Sequence, residues 1–382
     1  MPTQVTEMFG IEFPIFAFTH CRDVVVAVSK AGGFGVLGAA IHTDERLEID
    51  LKWIDEQLGD IPYGVDLMMP ANYVGAERGG IQRESLEELI PKEHQKFLDD
   101  LLAKAGVPEL PPDTPSAKGR GLRYSQKEAK GIIDIALAHK ATFLVSALGT
   151  PPAYVVEAAH TKGILVGALA GKKSHALRHK EAEVDVIIAQ SYEAGGHTGD
   201  LGGMVLIPEI VDAVAPTPVL GAGGIGSGRQ MAAAMALGAQ GVWCGTVWLT
   251  TTESELDRMA KEKLLAADSS STIRTTSMTG KPARFLRSRW TEEWERKDAP
   301  EPLKTPLQSI LAYNYLRRID RGIKAPGVTA ASGAYQLYTY PTGQGIGEQN
   351  TIRSARDVVR DMATGYVEAI AQLNKHIGYA DE

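Results

Sequence analysis

The chain has 382 residues, of which 44% are hydrophobic and 23% charged, a composition typical of a globular protein with a large core. Its formal net charge of −7 argues against a protein that binds nucleic acid or an anionic membrane surface. Two cysteines, Cys21 and Cys244, provide neither a disulfide framework nor the spacing of a zinc site. We therefore expect no metal, nucleic-acid or membrane partner.

The first residues and the apolar runs bear on where the protein works. Residues 1–15 lack the basic segment and sustained apolar run of a signal peptide. No apolar run reaches the ~18 residues that cross a bilayer. We therefore expect a cytoplasmic protein.

Short apolar runs recur along the chain, each followed by glycine, polar residues or a loop. They are rich in Val and Ile and lack strict alternation, as expected for parallel strands buried on both faces. Helix-like stretches separate most of them, and the stretch from Ser125 begins with a capping box to Glu128. Eight strand–helix units predict a closed (β/α)8 TIM barrel, with a doubly wound open sheet as the alternative. The predicted strands are residues 14–18, 34–40, 63–69, 142–148, 164–169, 184–190, 218–224 and 241–248.

Two segments exceed a minimal barrel. Residues 71–124, after the third strand, contain the Pro/Gly-rich "ELPPDTPSAKGRGLR" and are predicted to form an insert. Residues 253–382 are predicted to form a C-terminal helical extension beyond a barrel domain of residues 1–252. The extension is expected to cover the barrel mouth, and its last helix, beginning near Thr351, to pack back on the barrel.

The stretch "PVLGAGGIGSGRQMAAAMALGAQGVWCGT" holds two glycine-rich turns. The predicted seventh strand ends in Gly223 and Gly224, and the eighth ends in Gly245 and Thr246. In a barrel, the loops after these strands lie side by side at the C-terminal face, where phosphate groups are commonly held. Because glycine lets backbone N–H groups approach an anion, the pattern predicts a phosphate-bearing ligand. Glycines that only shape turns are the alternative.

The stretch "AQSYEAGGHTGD" follows the predicted sixth strand and ends on the same face. Gly195 and Gly196 permit a sharp turn, so His197 can project into the barrel mouth as a general base or hydrogen-bond donor. Gln190, at the end of the strand, offers an amide to a planar heterocycle. A solvated or core-satisfied imidazole is the alternative for a single histidine.

These motifs, together with "TGKPARFLRSRW" and "YPTGQGIG", resemble the FMN-dependent nitronate monooxygenase family, formerly called 2-nitropropane dioxygenases, over most of the chain. The resemblance implies a TIM barrel that binds FMN at its C-terminal face and oxidises alkyl nitronates, or also nitroalkanes, with dioxygen. It implies that His197 is the catalytic base. The cofactor-binding candidates are Asp66, Ser146, Gln190, Gly195, Gly224, Trp243, Cys244, Gly245 and Thr246.

Two positions depart from the family's usual pattern. Asp66 stands in "GVDLMM" where members often have "GVN". A carboxylate lacks the amide donor of asparagine, and a nearby phosphate would repel it. The loop after the first strand reads "AFTHCRD" rather than the Met-containing "APM" type, so Phe18, Thr19 and His20 are expected to reshape the substrate side of the flavin.

Other functions stay open at this point. One is an NAD(P)H-dependent flavin reductase acting on a quinone, an enoyl thioester or an acyl-CoA. Another is a non-redox barrel that binds a phosphorylated metabolite. The Arg-rich segment 281–289 is expected to be solvated or ion-paired, with a phosphate clamp as the alternative. A homodimer also stays open.

Overall fold

The structure, a computed structural model, describes residues 1–40, 42–69, 86–111, 114 and 126–376, except the side chains of residues 126–129. Eight parallel strands close into a barrel in chain order. Each coincides with one predicted apolar run to within a few residues. The barrel strands are β1 (Ile15–Thr19), β2 (Phe34–Gly38), β3 (Gly64–Leu67), β4 (Phe143–Ser146), β5 (Leu165–Ala170), β6 (Val186–Gln190), β8 (Val219–Ala222) and β9 (Gly241–Cys244).

Strand side chains of one alternate set fill the barrel interior, and those of the other set face the helices. Inside, the rings of Phe16 and Phe34 lie with centroids 5.0 Å apart. Outside, Ile15 and Leu37 are fully buried in the core between sheet and helices. Both faces of each strand are therefore apolar, which explains why the runs do not alternate. Because β1 pairs with both β2 and β9, the sheet is closed. The TIM-barrel prediction is confirmed, and the open-sheet alternative is wrong.

Helices surround the barrel and follow most of its strands. Along the barrel they are α1 (Gln4–Phe9), α2 (Arg22–Lys30), α3 (Asp44–Leu58), α4 (Lys92–Lys104), α5 (Gln126–Ala138), α6 (Ala153–Thr161), α7 (Lys173–Glu181), α8 (Gly203–Val214) and α9 (Gly228–Ala236). The predicted strand over 241–248 is too long, because Thr246–Trp248 form a 3-10 turn after β9. The indole N–H of Trp248 donates to the carbonyl of Cys244 at 2.7 Å and holds this turn.

The predicted insert lies partly outside the described residues. Of residues 71–124, the structure describes 86–111 and 114, which include α4; Ser125 of the predicted capping box also lies outside. In α4, Leu98 and Leu102 are fully buried in a second apolar cluster with Trp290 and Leu311 of the C-terminal extension. The described part of the insert therefore packs on the extension.

The extension adds a small antiparallel sheet and further helices. Its elements are α10 (Arg258–Leu265), β10 (Thr272–Thr275), β11 (Ala283–Leu286), α11 (Arg289–Trp294), α12 (Leu307–Ile323), α13 (Gly333–Leu337) and α14 (Ala355–His376). The sheet has the order β10-β11-β7, where β7 (Gly196–His197) belongs to the loop after β6. The extension thus reaches across the barrel mouth and pairs with a barrel loop.

The last helix, α14, packs against the barrel helices α2 and α9. Val358, Val359 and Met362 join the core between sheet and helices. The helix begins at Ala355 rather than near Thr351, because the Ser354 hydroxyl accepts a hydrogen bond from the Asp357 amide at 3.0 Å and caps it there. The division into domains at residue 252 stays a prediction.

No helix in the described ranges has both the length and the apolarity to cross a membrane. The described His, Cys, Asp and Glu side chains include no group that could hold a metal ion.

Candidate active site

A cavity of about 650 Å³ opens at the carboxyl ends of the barrel strands. The strand ends β3, β6, β8 and β9 contribute to its wall, as the predicted common rim requires. The predicted site residues that line it are Asp66, Gln190, Gly195, His197, Gly224, Trp243, Cys244, Gly245 and Thr246.

Ser146 is the predicted residue that the structure does not bring into this lining. It is fully buried at the end of β4. Its hydroxyl donates to the carbonyl of Gly149 at 3.0 Å and so serves its own loop. A strand-end position was therefore not enough to place this side chain in the cavity.

His197 lies on β7, opposite Ala283 of β11. Its Nδ1–H donates to the carbonyl of Pro282 at 3.2 Å. A carbonyl only accepts, so this contact places the hydrogen on Nδ1 and leaves the lone pair on Nε2. Burial lowers the pKa of His197, and the charge of Lys281 lowers it further. The side chain is therefore a neutral imidazole at neutral pH, with Nε2 available to accept a proton.

Three glycine-rich turns meet beside His197. A Cβ on Gly195 would lie 2.8 Å from the backbone nitrogen of Gly343, so only glycine allows this approach. The Gly343 amide donates to the Thr246 hydroxyl at 2.8 Å, so Thr246 still has its own hydrogen to donate. The "YPTGQGIG" turn of the extension therefore lies against the barrel turns. Its sequence alone did not indicate this position.

A side chain of α9 binds the backbone that leads into the helix. Gln230 Oε1 accepts from the amides of Gly226 at 2.8 Å and Ser227 at 3.1 Å. Because these two amides already donate to Gln230, an anion in the cavity would bind to the amides of the neighbouring turns.

Asp66 is 1% exposed at the end of β3. Its Oδ2 has no hydrogen-bond partner among the described residues. Burial raises the pKa of Asp66 well above its usual range, since no described cation compensates a charge there. The predicted repulsion of a phosphate assumes a carboxylate, whereas burial favours the uncharged acid.

The cavity wall next to β1 also carries uncharged groups. His20 Nδ1–H donates to the carbonyl of Gly38 at 2.7 Å, and burial lowers the pKa of this histidine. The ring of Phe18 stacks on Trp243 with centroids 5.9 Å apart. Burial raises the pKa of the Cys244 thiol to about 12, so Cys244 is not a nucleophile at neutral pH.

The sequence profile of the family described as "Nitronate monooxygenase" matches residues 3–365. "Putative monooxygenase Rv1533" of Mycobacterium tuberculosis is 53% identical over 373 residues, which cover 98% of each chain. A "Probable nitronate monooxygenase" of Staphylococcus saprophyticus is 30% identical over 335 residues, covering 83% of this chain and 87% of the relative. The chain belongs to the nitronate monooxygenase family.

Solved structures agree with this assignment. Nitroalkane oxidase from Streptomyces ansochromogenes superposes with a TM-score of 0.76 at 26% identity and covers 97% of this chain and 99% of its own. FabK from Thermotoga maritima has a TM-score of 0.71 at 23% identity, with 98% and 99% coverage, which shows the fold alone. Membership in the nitronate monooxygenase family makes this protein an oxidoreductase, and it excludes the non-redox binding barrel.

In this nitronate monooxygenase family member, the C-terminal extension supplies the part of the cavity wall that covers the barrel mouth, called the upper wall below. These side chains are mostly apolar or aromatic. They include Met278, Phe285, Tyr313, Leu316, Ile319, Tyr338 and Tyr340. Of these, Phe285 and Tyr340 belong to motifs quoted from the sequence, and the others belong to none.

The arginines of segment 281–289 have partners within the protein. Arg284 is 2% exposed, and its guanidinium donates to the Tyr192 carbonyl at 3.0 and 3.2 Å and to the Thr272 hydroxyl at 3.1 Å. For Arg284 the prediction of a solvated or ion-paired side chain is wrong, because it satisfies buried acceptors between β7 and β10. Ion pairing is confirmed for Arg287 and Arg289, with Glu295 and Glu293 respectively.

Proposed function

We propose that this protein is an FMN-dependent oxidoreductase that oxidises alkyl nitronates with dioxygen, and neutral nitroalkanes when His197 first removes a proton. One observation carries the proposal. A neutral His197 with a free Nε2 lines the same cavity as the glycine turns at residues 195, 224 and 245. A base and an anion-binding site thus lie in one cavity, where a single ligand would contact both.

The residues present fit FMN. The glycine turns and the Thr246 hydroxyl suit a phosphate, since they offer close backbone approach and a donor. The Gln190 amide and the unpaired Asp66 suit the polar edge of a flavin ring. Bound FMN would supply the electron transfer from substrate to dioxygen.

His197 would act on the substrate carbon next to the nitro group. Its Nε2 lone pair accepts the acidic proton as the C–H bond breaks, and the electron pair stays on the substrate as a nitronate. The Pro282 carbonyl, which accepts from Nδ1–H, orients the ring and stabilises the imidazolium that forms. A substrate that is already a nitronate has no such proton to lose.

Replacing His197 tests this role. We expect His197→Asn to retain FMN, seen as flavin absorbance after gel filtration. Turnover of nitroethane should fall by about 10²–10⁴-fold, the range for loss of a general base, and turnover of ethylnitronate should fall much less. His376→Asn, at the exposed end of α14, is the control histidine. Equal rates for wild type and His197→Asn on both substrates would exclude His197 from the chemistry.

The reductase alternative is separated by anaerobic mixing. We expect ethylnitronate to bleach the flavin under argon and NADH to leave it oxidised. Rapid bleaching by NADH would instead support a reductase of quinones, enoyl thioesters or acyl-CoA. The homodimer and the cytoplasmic location stay predictions.

A further inference from the structure

We propose that Asp66 keeps its proton in this protein and acts as a hydrogen-bond donor to the cofactor, replacing the asparagine amide that the family often has at this position. The inference rests on the proposed function, because it takes FMN as the ligand of the cavity. It assigns a protonation state to Asp66, which the resemblance to the family does not specify.

Among the residues that the structure describes, none gives the Asp66 carboxyl group a countercharge. Its neighbours in register are Gly38 on β2, which has no side chain, and Val145 on β4, which is apolar. The side chain is 1% exposed and lines the cavity, and Oδ2 is unpaired among the residues that the structure describes. An ionised carboxylate without a partner is unstable in such surroundings, so the proton is retained.

The other titratable groups around the cavity do not stabilise the ionised form of Asp66. On the β1 side, burial lowers the pKa of His20 and keeps it neutral, although its bond to the Gly38 carbonyl acts in the opposite direction. Across the mouth, His197 is also uncharged, and α12 contributes Arg317 and Asp320, of opposite charge. None of them is a cause of the shifted pKa of Asp66, which has burial as its sole cause.

A protonated carboxyl group has the same pair of functions as an asparagine amide. It presents one O–H donor and one C=O acceptor, whereas a carboxylate only accepts. The unpaired oxygen therefore becomes a donor for an acceptor atom of FMN. If only the protonated form binds, FMN affinity falls tenfold for each pH unit above the pKa that Asp66 has in the FMN-free protein.

The first experiment measures the proton directly. We expect the infrared spectrum of FMN-free wild type at neutral pH to contain a carboxylic-acid C=O band that is missing from Asp66→Asn. Asp134→Asn, which removes an exposed carboxylate paired with Lys130, should leave the band in place. Loss of the band in Asp66→Leu keeps the assignment if Asp66→Asn does not fold, and in wild type the band should disappear as the pH is raised.

The second experiment measures FMN dissociation constants by flavin fluorescence from pH 6 to pH 10. The ratio of the wild-type to the Asp66→Asn constant cancels the titration of FMN itself. We expect this ratio to rise at least tenfold toward alkaline pH, and Asp66→Leu, which has no donor, to bind weakly throughout. A wild type without the acid band, or a ratio that stays constant with pH, would overturn the inference.

The two experiments separate this inference from the proposed function. Neither requires turnover of a nitronate. A protein that shows the acid band and the pH-dependent ratio but oxidises no nitronate would refute the proposed function alone. A nitronate oxidase without the band would refute the role of Asp66 alone.

Discussion

At the level of single residues, burial keeps four titratable groups around the cavity uncharged. It lowers the pKa of His197 and His20 and raises that of Asp66 and Cys244, as expected where charged forms lose water without gaining a partner. The sequence predicts which residue types stand at the strand ends. It does not predict their protonation, because that depends on neighbours from other strands.

The pH dependence of nitroalkane oxidation should report the lowered pKa of His197. The neutral base is present above that pKa and is lost as the pH falls through it, so kcat/KM should decline only below pH 6.5, the ordinary value for histidine. Lys281→Met removes a charge that contributes to the lowering, so the acid limb should move to higher pH. Lys375→Met, at the end of α14, is the control. An acid limb at the same pH in Lys281→Met and wild type would mean that Lys281 does not act on His197.

At the scale of elements, the short strand that carries His197 is held by the extension. β7 pairs with β11, and Arg284 of β11 ties the Tyr192 carbonyl to the Thr272 hydroxyl of β10. The guanidinium also lies 4.5 Å from the centroid of the Tyr192 ring. The loop after β6 therefore depends on a residue more than eighty positions away.

Arg284 and Arg287 should respond differently to the same change. Arg284→Met leaves a buried carbonyl and hydroxyl without their donors, which costs about 1–3 kcal/mol of unfolding free energy. It should also lower nitroethane turnover, because His197 loses its supporting strand. Arg287→Met removes a surface ion pair worth about 0–1 kcal/mol and should keep turnover. Urea unfolding and steady-state rates measure both effects. Equal losses in the two variants would contradict the structural role of Arg284.

At the scale of the whole molecule, the C-terminal helix packs across the barrel where the chain closes on itself. α14 contacts α9, in the last barrel unit, and α2, in the first. The closest approach is at Gly228, where an added Cβ would lie 2.2 Å from the Tyr366 backbone nitrogen. The facing Gly365 is less tight, because its Cβ would lie 3.4 Å from the Gly228 Cα.

These two glycines form a matched pair of variants. Gly228→Ala must push α14 away from α9, an overpacking that costs about 1–3 kcal/mol. Gly365→Ala fits with a small adjustment and gains about 0.5–1 kcal/mol of helix propensity, so its unfolding free energy should stay equal or rise. Thermal and urea unfolding would measure both. A Gly228→Ala protein as stable as Gly365→Ala would show that the two helices separate without cost.

Some residues of the candidate site stand at the ends of barrel strands, and others come from the distant C-terminal extension. Gln190, Gly224 and Trp243 could be predicted because each stands at or next to a strand end, and strand ends of a parallel barrel share one face. Ser146 also stands at a strand end, but its hydroxyl bonds to its own loop. The sequence predicted that the extension covers the mouth, but not which side chains of α12 and residues 338–341 line the cavity, since no motif records how a remote helix will pack.

The barrel and the order of its strands could be predicted from the sequence. Apolar periodicity and turn residues act over a few positions, and eight repeats of the same unit leave few ways to bury both faces of each strand. The pairing of β7 with β11, the burial of Arg284 and the lack of a described countercharge beside Asp66 all arise from tertiary contacts. The physical reason is that pairing, burial and protonation depend on which distant groups share a small volume, and local sequence carries no record of that.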